Sequence, residues 1–215
     1  MQNDMDALTG LPRYPGFAAF WEEAVRAADS RGLPVSLGLA DIDSFGKLNA
    51  DYGTATGDAV LRRAANRLTE IFAEPARVFR YGGDAFSIVL GGVEKEQAFM
   101  LLESARQDFS EVCVVTVGAR PVELRLSLSA GVATFPDDGS AAQDVVRKAN
   151  EAMYRAKDSG RNRVCLAREE KMITKTSHYT QGQLQGLSRL AKRMGVGEAV
   201  LLREALDDLL RKHNA

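Results

Sequence analysis

The sequence centres on Phe79-Arg80-Tyr81-Gly82-Gly83-Asp84-Ala85-Phe86-Ser87-Ile88-Val89-Leu90. Two apolar runs flank a Gly-Gly-Asp turn, and a glycine pair between two strand-like runs predicts a tight β-hairpin. Glycines allow a backbone to approach a ligand closely, and the aspartate places a carboxylate at the tip of the hairpin. The segment therefore predicts a hairpin with a candidate binding turn, although the same turn also occurs in hairpins that bind nothing.

The length and composition are ordinary for a soluble globular protein. The chain has 215 residues, of which 45% are hydrophobic and 27% are charged, enough for one large domain or a medium domain with a small second one. The absence of a cationic and apolar leader, and of an apolar run of about 18 residues, predicts a cytoplasmic protein without a membrane partner. Cys113 and Cys165 lie in apolar runs and are predicted to be reduced core residues rather than a disulfide.

Charge is distributed unevenly along the chain. Residues 171–215 contain eight Lys and Arg against four Asp and Glu, a balance of +4. Residues 1–170 contain twenty against twenty-five, a balance of -5. A basic tail on an acidic body favours an appendage that binds a polyanion, and a solvated helical face is the alternative interpretation.

Two acids, Asp41 and Asp43, stand at the end of a predicted buried strand, residues 34–42. Carboxylates at a strand end beside a glycine-bearing hairpin can hold a hard cation through oxygen ligands. An isolated Asp-x-Asp often only begins a turn. Here it continues as Asp-Ile-Asp-Ser-Phe-Gly-Lys-Leu-Asn49, followed by Gly57-Asp58.

These motifs together resemble the GGDEF (diguanylate cyclase) domain family. The hairpin resembles the family signature, residues 6–14 resemble its D-x-L-T-G-L-x-N-R lead-in, and residues 41–58 resemble D-x-D-x-F-K-x-x-N followed by G-H-x-x-G-D. Residues 152–162 resemble its A-x-x-A-Y-x-A-K-x-x-G-R-N segment. The resemblance implies an α+β domain over residues 1–168, with a ferredoxin-like, antiparallel-rich sheet and flanking helices.

The resemblance also implies roles for individual residues. It assigns Mg²⁺ binding to Asp41, the Ile42 carbonyl and Asp84, and guanine binding to Asn49 and Asp58. The chemistry is suitable, because an aspartate accepts from the guanine N1–H and amino group and an asparagine can satisfy the remaining edge. The rest of the implied nucleotide site consists of Phe45, Gly46, Lys47, Gly82, Gly83, Lys157 and Arg161. For Lys157 and Arg161, the alternative is a cation that only complements a helix C-terminus.

The chain departs from the family pattern at positions that matter for catalysis. Ala85 stands where the family has the Glu of its signature, and alanine can neither coordinate a metal nor accept a proton. Gly46 stands where the family has a phosphate-contacting Lys, with Lys47 one place later. The family's Arg-x-x-Asp inhibitory site for cyclic di-GMP falls on Ala73 and Ala76. We therefore predict that the hairpin signature has no catalytic residues.

Residues 169–215 are predicted to form a second, small domain. They comprise an extended segment at 174–180, a helix at 181–194, a Gly-Val-Gly turn and a helix at 198–212. So short a segment cannot bury its leucine-rich faces alone, which favours an oligomer. This order resembles a ribbon-helix-helix domain, whose intertwined dimers place paired strands in the DNA major groove. A helical hairpin that only dimerises is the alternative.

The second resemblance implies that duplex DNA is a partner. Side chains alternate along a strand, so three residues of the extended segment share one face and can contact base edges. An inward position for Tyr179 would direct that face to the groove. The predicted DNA-binding residues are Thr174, Thr176 and His178 on this face, the neighbouring Lys175, and Lys192 and Arg193 for the phosphates.

The sequence thus predicts a transcription regulator that binds DNA as a homodimer. Its GGDEF-like domain is expected to be catalytically inactive and to bind a guanine nucleotide with Mg²⁺, either GTP or cyclic di-GMP, as an effector. One alternative is a low-activity diguanylate cyclase held at DNA. Another is a module for protein interaction and dimerisation with a vestigial nucleotide pocket. Product formation from GTP separates the first two readings, and salt-sensitive DNA binding separates both from the third.

Overall fold

The computed structural model describes residues 4–118, 120–168, 177–194 and 197–212. The chain divides into two compact units, Met1–Glu169 and Glu170–Ala215, here called the first and second unit. The helices of the first unit are α1 (Tyr14–Arg31), α2 (Phe45–Tyr52), α3 (Thr54–Ile71), α4 (Lys95–Phe109) and α5 (Ala142–Asp158). Its strands are β1 (Val35–Ile42), β2 (Arg77–Gly82), β3 (Ala85–Gly91), β4 (Val112–Val117), β5 (Arg120–Arg125), β6 (Leu128–Phe135) and β7 (Val164–Leu166).

The first unit is built on a five-stranded sheet with the order β2-β3-β1-β6-β7. Neighbouring strands are antiparallel except for β6 and β7, which are parallel. Strands β4 and β5 form a separate antiparallel pair. The predicted α+β fold with an antiparallel-rich sheet and flanking helices is confirmed.

Both faces of the central strand β1 are buried, because helices cover the sheet on both sides. Leu37 and Leu39 belong to the core that α1 and α5 cover. Ala40 and Ile42 belong to the opposite core, which includes residues of α3 and α4. The alternation of side chains along one strand thus connects two cores and holds the carboxyl end of β1 firmly in place.

Helix α5 lies directly on β6 because β6 contains a glycine at the contact. A Cβ atom added to Gly131 would lie 2.1 Å from the carbonyl oxygen of Ala149 on α5. The indole N–H of Trp21 donates to the Ala142 carbonyl at 2.9 Å, which joins α1 to the beginning of α5. These contacts fix the position of α5, whose last turn carries Lys157.

Two details of the first unit differ from the sequence-based expectations. The alternation of apolar and polar residues that begins at residue 122 predicts a single strand over 122–134, and this expectation is wrong, because β5 ends at Arg125 and β6 begins at Leu128. β5 pairs with β4 whereas β6 pairs with β1, so the chain changes sheets between them. At this break the Ser127 carbonyl accepts from the Asp43 N–H at 2.9 Å. In addition, the short helix α2 was not anticipated.

The two cysteines are both free thiols, as predicted. Neither cysteine forms a disulfide, and Cys113 is buried as predicted, whereas Cys165 is only half-buried. Burial raises the pKa of the Cys113 thiol above its ordinary value. No helix within the described ranges is long and apolar enough to cross a membrane.

The second unit contains two helices, α6 (Gln181–Met194) and α7 (Glu198–Lys212), at the positions predicted. Thr180 and Gln183 cap the beginning of α6 reciprocally: the Thr180 N–H donates to Gln183 Oε1 at 2.9 Å, and the Gln183 N–H donates to Thr180 Oγ1 at 3.3 Å. The Ser188 hydroxyl donates to the Glu198 carboxylate and so joins the two helices. Of the strand predicted at 174–180, residues 174–176 lie outside the described residues, and residues 177–180 have no regular secondary structure.

Candidate functional site

The tip of the β2–β3 hairpin meets the carboxyl end of β1. Asp41 pairs with Ala85 across the two antiparallel strands. One residue further, the Ile42 N–H donates to the Asp84 carbonyl at 3.3 Å. The fold therefore brings the three residues predicted for the metal, Asp41, Ile42 and Asp84, to one place. Ala85 is buried beside them, where its methyl group replaces the carboxylate of the family signature.

The donor atoms at this place suit a hard cation that is shared with phosphates. Two carboxylates and one carbonyl are oxygen ligands, and Mg²⁺ in proteins is commonly held by one or two carboxylates together with water and substrate phosphates. In the described part of the chain, no three His, Cys, Asp or Glu side chains form a cluster that could hold a metal by themselves. The residues thus fit Mg²⁺ bound with a nucleotide rather than a closed protein cage.

Asp41 is the electrostatic centre of this place. Burial raises the pKa of its carboxyl above the ordinary value, and the neighbouring Asp84 carboxylate acts in the same direction. The hydrogen bond from Lys157 opposes both effects, with Lys157 Nζ 2.8 Å from Asp41 Oδ1. Two acids in a partly buried position therefore require nearby positive charge, and Lys157 supplies part of it.

Helices α2 and α3 pack together at the predicted guanine site through Asn49, Phe45 and Gly57. Asn49 on α2 packs against Gly57 on α3 so closely that a Cβ at Gly57 would lie 1.9 Å from Asn49 Oδ1. The ring of Phe45 lies 3.1 Å from the same added atom. Asn49 Oδ1 is buried and has no hydrogen-bond partner among the described residues. Such an orphaned acceptor suits a ligand that brings its own N–H donors.

Asp58, the other residue predicted for guanine, follows Gly57 on α3. Its carboxylate and those of Asp6 and Asp84 act to raise the pKa of the half-buried Arg80 guanidinium, against the effect of burial. The Arg80 guanidinium lies 5.1 Å from the centre of the Phe86 ring, and burial lowers its pKa below the ordinary value. Sequence reasoning assigned no role to Arg80. The sequence feature that could have indicated a role for Arg80 is its position two residues before the glycine pair.

The glycines of the site leave open space at the surface. Gly83 has a φ of 51° at the hairpin tip, where a side chain would be strained. Among the described residues, no atom lies within 4 Å of a Cβ added to Gly82, Gly83 or Gly46. The hairpin tip and the beginning of α2 can thus admit a ligand close to the backbone. Lys47 lines a cleft of about 470 Å³ between α2 and β5.

Lys157 and Arg161 flank the end of α5. Lys157 stands in the last turn of the helix, and Arg161 follows in the turn after it with a φ of 62°. Asp43 is hydrogen-bonded to the turn after α5, because its carboxylate accepts from the Asn162 N–H at 3.0 Å. The same carboxylate accepts from the hydroxyls of Ser127 and Ser129, each at 2.7 Å. The sequence indicated Asp43 as a possible cation ligand, whereas its carboxylate is engaged in these hydrogen bonds.

The residues predicted to contact DNA are only partly described. Thr174, Lys175 and Thr176 lie outside the described residues. His178 is exposed before α6, and Lys192 and Arg193 are exposed in its last turn.

Comparison with protein families matches both units. Residues 3–163 match the family described as diguanylate cyclase, GGDEF domain. Residues 176–214 match the family described as ribbon-helix-helix domain.

Curated relatives and solved structures agree with the first match. Diguanylate cyclase DgcP of Pseudomonas aeruginosa is 32% identical over 162 residues, which cover 75% of this chain and 24% of that protein. This chain spans from about a quarter to about half the length of the curated relatives it matches.

Two structures illustrate the similarity of fold. The GGDEF domain of DgcB from Caulobacter crescentus, solved in complex with c-di-GMP, superimposes with a TM-score of 0.71 at 28% identity and covers 77% of this chain and 96% of that one. The active GGEEF domain of a diguanylate cyclase from Vibrio cholerae superimposes with a TM-score of 0.67 at 31% identity and covers 74% and 99%. The chain therefore belongs to the GGDEF domain family, and a ribbon-helix-helix domain follows its GGDEF domain.

Proposed function

We propose that the chain is a DNA-binding transcription regulator whose GGDEF domain binds a guanine nucleotide as an effector and forms no cyclic di-GMP. One observation carries this proposal, an asymmetry within the candidate pocket. Asn49 and Asp58, which would recognise the base, are retained. Ala85, in contrast, removes an acid from the place where Asp41 and Asp84 meet.

The base end supports recognition of guanine. The Asn49 carbonyl oxygen is buried without a partner within the described ranges, and a donor from a bound base would satisfy it. Asp58 offers the carboxylate that pairs with two neighbouring N–H groups, a pattern that guanine has and adenine lacks. Gly57 lets Asn49 on α2 pack directly against α3, the helix that carries Asp58, and we infer that both side chains would contact one ring.

The phosphate end would hold the charged part of the nucleotide. Asp41, the Ile42 carbonyl and Asp84 would hold Mg²⁺, which neutralises phosphate charge when it is bound. Lys157 stands within 2.8 Å of Asp41 and is suitably placed to contact a phosphate beside that carboxylate. Arg161, in the turn after α5, would supply a second cation.

Loss of the signature acid supports an absence of cyclisation. The family reaction joins two GTP molecules held by two facing domains, and it needs carboxylates that stabilise metal ions and the developing charge. Removing one such group from a metal-assisted phosphoryl site costs about 10³-fold or more in rate. Gly46, in place of a phosphate-contacting lysine, removes a further positive charge.

The second unit supports an output at DNA. Leu184, Met194, Leu206 and Leu209 are exposed on its helices, an apolar surface that a second copy of the unit would cover. Pairing of two tails would double their +4 charge balance and favour a polyanion. In this arrangement Thr174, Thr176 and His178 would contact base edges, while Lys175, Lys192 and Arg193 would face the phosphates.

Calorimetry on the full chain tests the nucleotide part. With Mg²⁺ present, we expect GTP to bind more tightly than ATP, and Asp58→Ala to remove this preference. Mass spectrometry should detect no cyclic di-GMP in the reaction mixture. Asp51→Ala is the control, since Asp51 is an exposed acid on α2. Equal binding of GTP and ATP would contradict the proposed base site.

A gel-shift series at increasing salt tests the DNA part. Four to eight phosphate contacts would give a log-log salt slope of roughly -4 to -7. Lys192→Ala and Arg193→Ala should weaken binding to all sequences alike, and Arg26→Ala is the control, since Arg26 is an exposed residue of α1. Thr176→Ala and His178→Ala should cost about 1–3 kcal/mol only at the preferred sequence. A change in DNA affinity on adding GTP would identify the nucleotide as an effector.

A low-activity diguanylate cyclase is the second candidate. It is favoured by the retention of Asp41 and Asp84, whose carboxylates still act on one another electrostatically beside the hairpin tip. Accumulation of cyclic di-GMP that disappears in Asp84→Ala would establish this candidate. A chain that dimerises but binds neither guanine nucleotide nor DNA would instead be an interaction module.

A further inference from the structure

We propose that Asp43 is a positioning residue: it fixes the turn after α5 and so holds the Arg161 guanidinium at the phosphate end of the pocket. The inference rests on the proposed function for the identity of the ligand, a nucleotide with its phosphates. It assigns to Asp43, in the turn after β1, a task different from that of Asp41, two residues earlier at the end of β1.

The hydrogen bonds of Asp43 leave little capacity for a metal. One carboxylate oxygen, Oδ1, accepts from the Ser129 hydroxyl at 2.7 Å. The other, Oδ2, accepts from the Ser127 hydroxyl at 2.7 Å and from the Asn162 N–H at 3.0 Å. A carboxylate has about four acceptor positions, and three of them are used. Asp43 thus joins the beginning of β6 to the turn after α5.

The turn after α5 needs such a restraint because its backbone is unfavourable. Arg161 and Asn162 have φ angles of 62° and 47°, so two consecutive residues with side chains adopt the left-handed region. Residues with a Cβ atom rarely adopt it, and they persist there when the surrounding structure determines the conformation. The Arg161 N–H also donates to the Ala156 carbonyl at 3.0 Å, which ties the turn to the end of the helix.

Asn162 is held from both sides, and this defines where Arg161 can lie. Its backbone N–H donates to Asp43, and its side-chain Oδ1 accepts from Arg106 Nη1 at 2.8 Å and from the Ser110 hydroxyl at 3.0 Å. Arg106 and Ser110 belong to the end of α4. The backbone of Arg161 is therefore fixed next to a doubly held residue, while its own side chain is exposed.

The end of β1 thereby organises both phosphate cations. Asp41 binds the Lys157 side chain directly, and Asp43 holds the backbone of the turn that carries Arg161. A preorganised cation loses less conformational freedom when it binds an anion than a cation on a loose turn. Asp43 would thus strengthen phosphate binding although it carries a negative charge.

The direction in which Asp43→Asn changes phosphate affinity distinguishes a positioning role from a purely electrostatic one. If Asp43 acted only through its charge, Asp43→Asn would remove a repulsion and tighten binding of a polyanion. If Asp43 positions Arg161, the same variant weakens binding, because an amide cannot accept all three hydrogen bonds. Asp51→Asn is the matched control, since Asp51 lines the same cleft as Asp43 and loses the same charge.

The test measures the affinity of the full chain for inorganic tripolyphosphate, GTP and guanosine by calorimetry. We expect Asp43→Asn and Arg161→Ala each to weaken the binding of tripolyphosphate and GTP by roughly tenfold, and to leave the affinity for guanosine unchanged. The double variant should be no weaker than Arg161→Ala alone, because the effect of Asp43 passes through Arg161. A purely structural effect would instead be additive and would also weaken guanosine.

Amide hydrogen exchange supplies a measurement that needs no ligand. The Asn162 amide should exchange faster in Asp43→Asn than in the wild type or in Asp51→Asn. Should Asp43→Asn fail to fold, Asn162→Ala loosens the same turn from the α4 side and is expected to weaken tripolyphosphate equally.

Any one of these results would overturn the inference: tighter tripolyphosphate binding by Asp43→Asn, an additive double variant, an unchanged exchange rate of the Asn162 amide, or a wild type that does not bind tripolyphosphate. Loss of the Mg²⁺ dependence of GTP binding in Asp43→Asn would make Asp43 a metal ligand and overturn it as well. A wild type that binds tripolyphosphate but does not prefer GTP to ATP would contradict only the proposed guanine effector.

Discussion

The two units of the chain treat their apolar side chains in opposite ways. In the first unit the aromatic side chains of Phe17, Trp21 and Phe86 are at most 2% exposed. In the second unit Leu206 and Leu209 are more than half exposed, although both units have regular helices. The difference is one of size, because a unit of 46 residues has too little volume to enclose its apolar faces.

The difference separates two sources of stability. The first unit buries its own core on both faces of a sheet. The second unit would gain its core from another copy of itself, so its stability would depend on protein concentration.

The largest effect is expected for Leu206→Glu in the second unit. A charge in the proposed dimer contact should weaken association by about 10³-fold or more, since each copy loses a buried leucine and gains a desolvated carboxylate. Analytical ultracentrifugation should detect a monomer at micromolar concentration. Met100→Glu, at an exposed position on α4, is the matched control and should leave the association unchanged. A Leu206→Glu chain that still dimerises would contradict the proposed contact.

The next effect is expected for Trp21→Ala in the first unit. Loss of a buried indole and of its hydrogen bond to Ala142 should lower the free energy of unfolding by about 3–5 kcal/mol. Circular dichroism in urea measures it, because Trp21 is the only tryptophan and its fluorescence disappears with it. Trp21→Phe should recover much of the loss. If the contrast holds, neither variant changes the oligomeric state.

A smaller effect is expected when one buried charge of the first unit loses its partner. Asp138 is buried, accepts from the Thr134 N–H at 2.8 Å and pairs with Lys95 Nζ at 2.8 Å. Lys95→Met should lower the free energy of unfolding by about 2 kcal/mol, because it leaves the carboxylate without its cation. Trp21 fluorescence in urea measures this in the first unit alone. Adding Asp138→Asn should restore part of the stability, and a further loss would contradict the interpretation.

The smallest effect is a dependence of stability on pH from the pair Glu103–Arg106. The hydrogen bond from Arg106 holds the pKa of Glu103 below its ordinary value of 4.5. Because the folded pKa is the lower one, the contribution is complete above the ordinary value and is lost as pH falls through the folded pKa. Glu103→Gln should cost about 0.5 kcal/mol at pH 7 and nothing at pH 2. A cost that persists at low pH would argue against the ion pair.

Structural features that depend on residues close together in the sequence were predictable from the sequence. The hairpin at residues 79–90 forms from β2 and β3, because turn chemistry and strand composition act over a few residues. Helices α6 and α7 begin and end at the predicted positions, because glycines and capping residues delimit an apolar periodicity.

The break between β5 and β6 was not predictable in the same way. Side chains alternate between two faces in any strand, whichever sheet it belongs to, so the pattern of residues 122–134 continues across the change of sheet. The Asp43 N–H bonds to Ser127 at this break, and only the folded chain brings these residues together.

The sequence alone determined which chemical groups the candidate site contains. The replacement of the signature acid by Ala85 and of a phosphate-contacting lysine by Gly46 are facts of composition, which folding cannot change. The tertiary structure alone decided what the remaining groups do to one another. Asp43 accepts from the Asn162 N–H, 119 residues further along the chain, and Lys157 forms an ion pair with Asp41. Such contacts depend on how β1, β6 and α5 pack, and local patterns in the sequence carry no information about that packing.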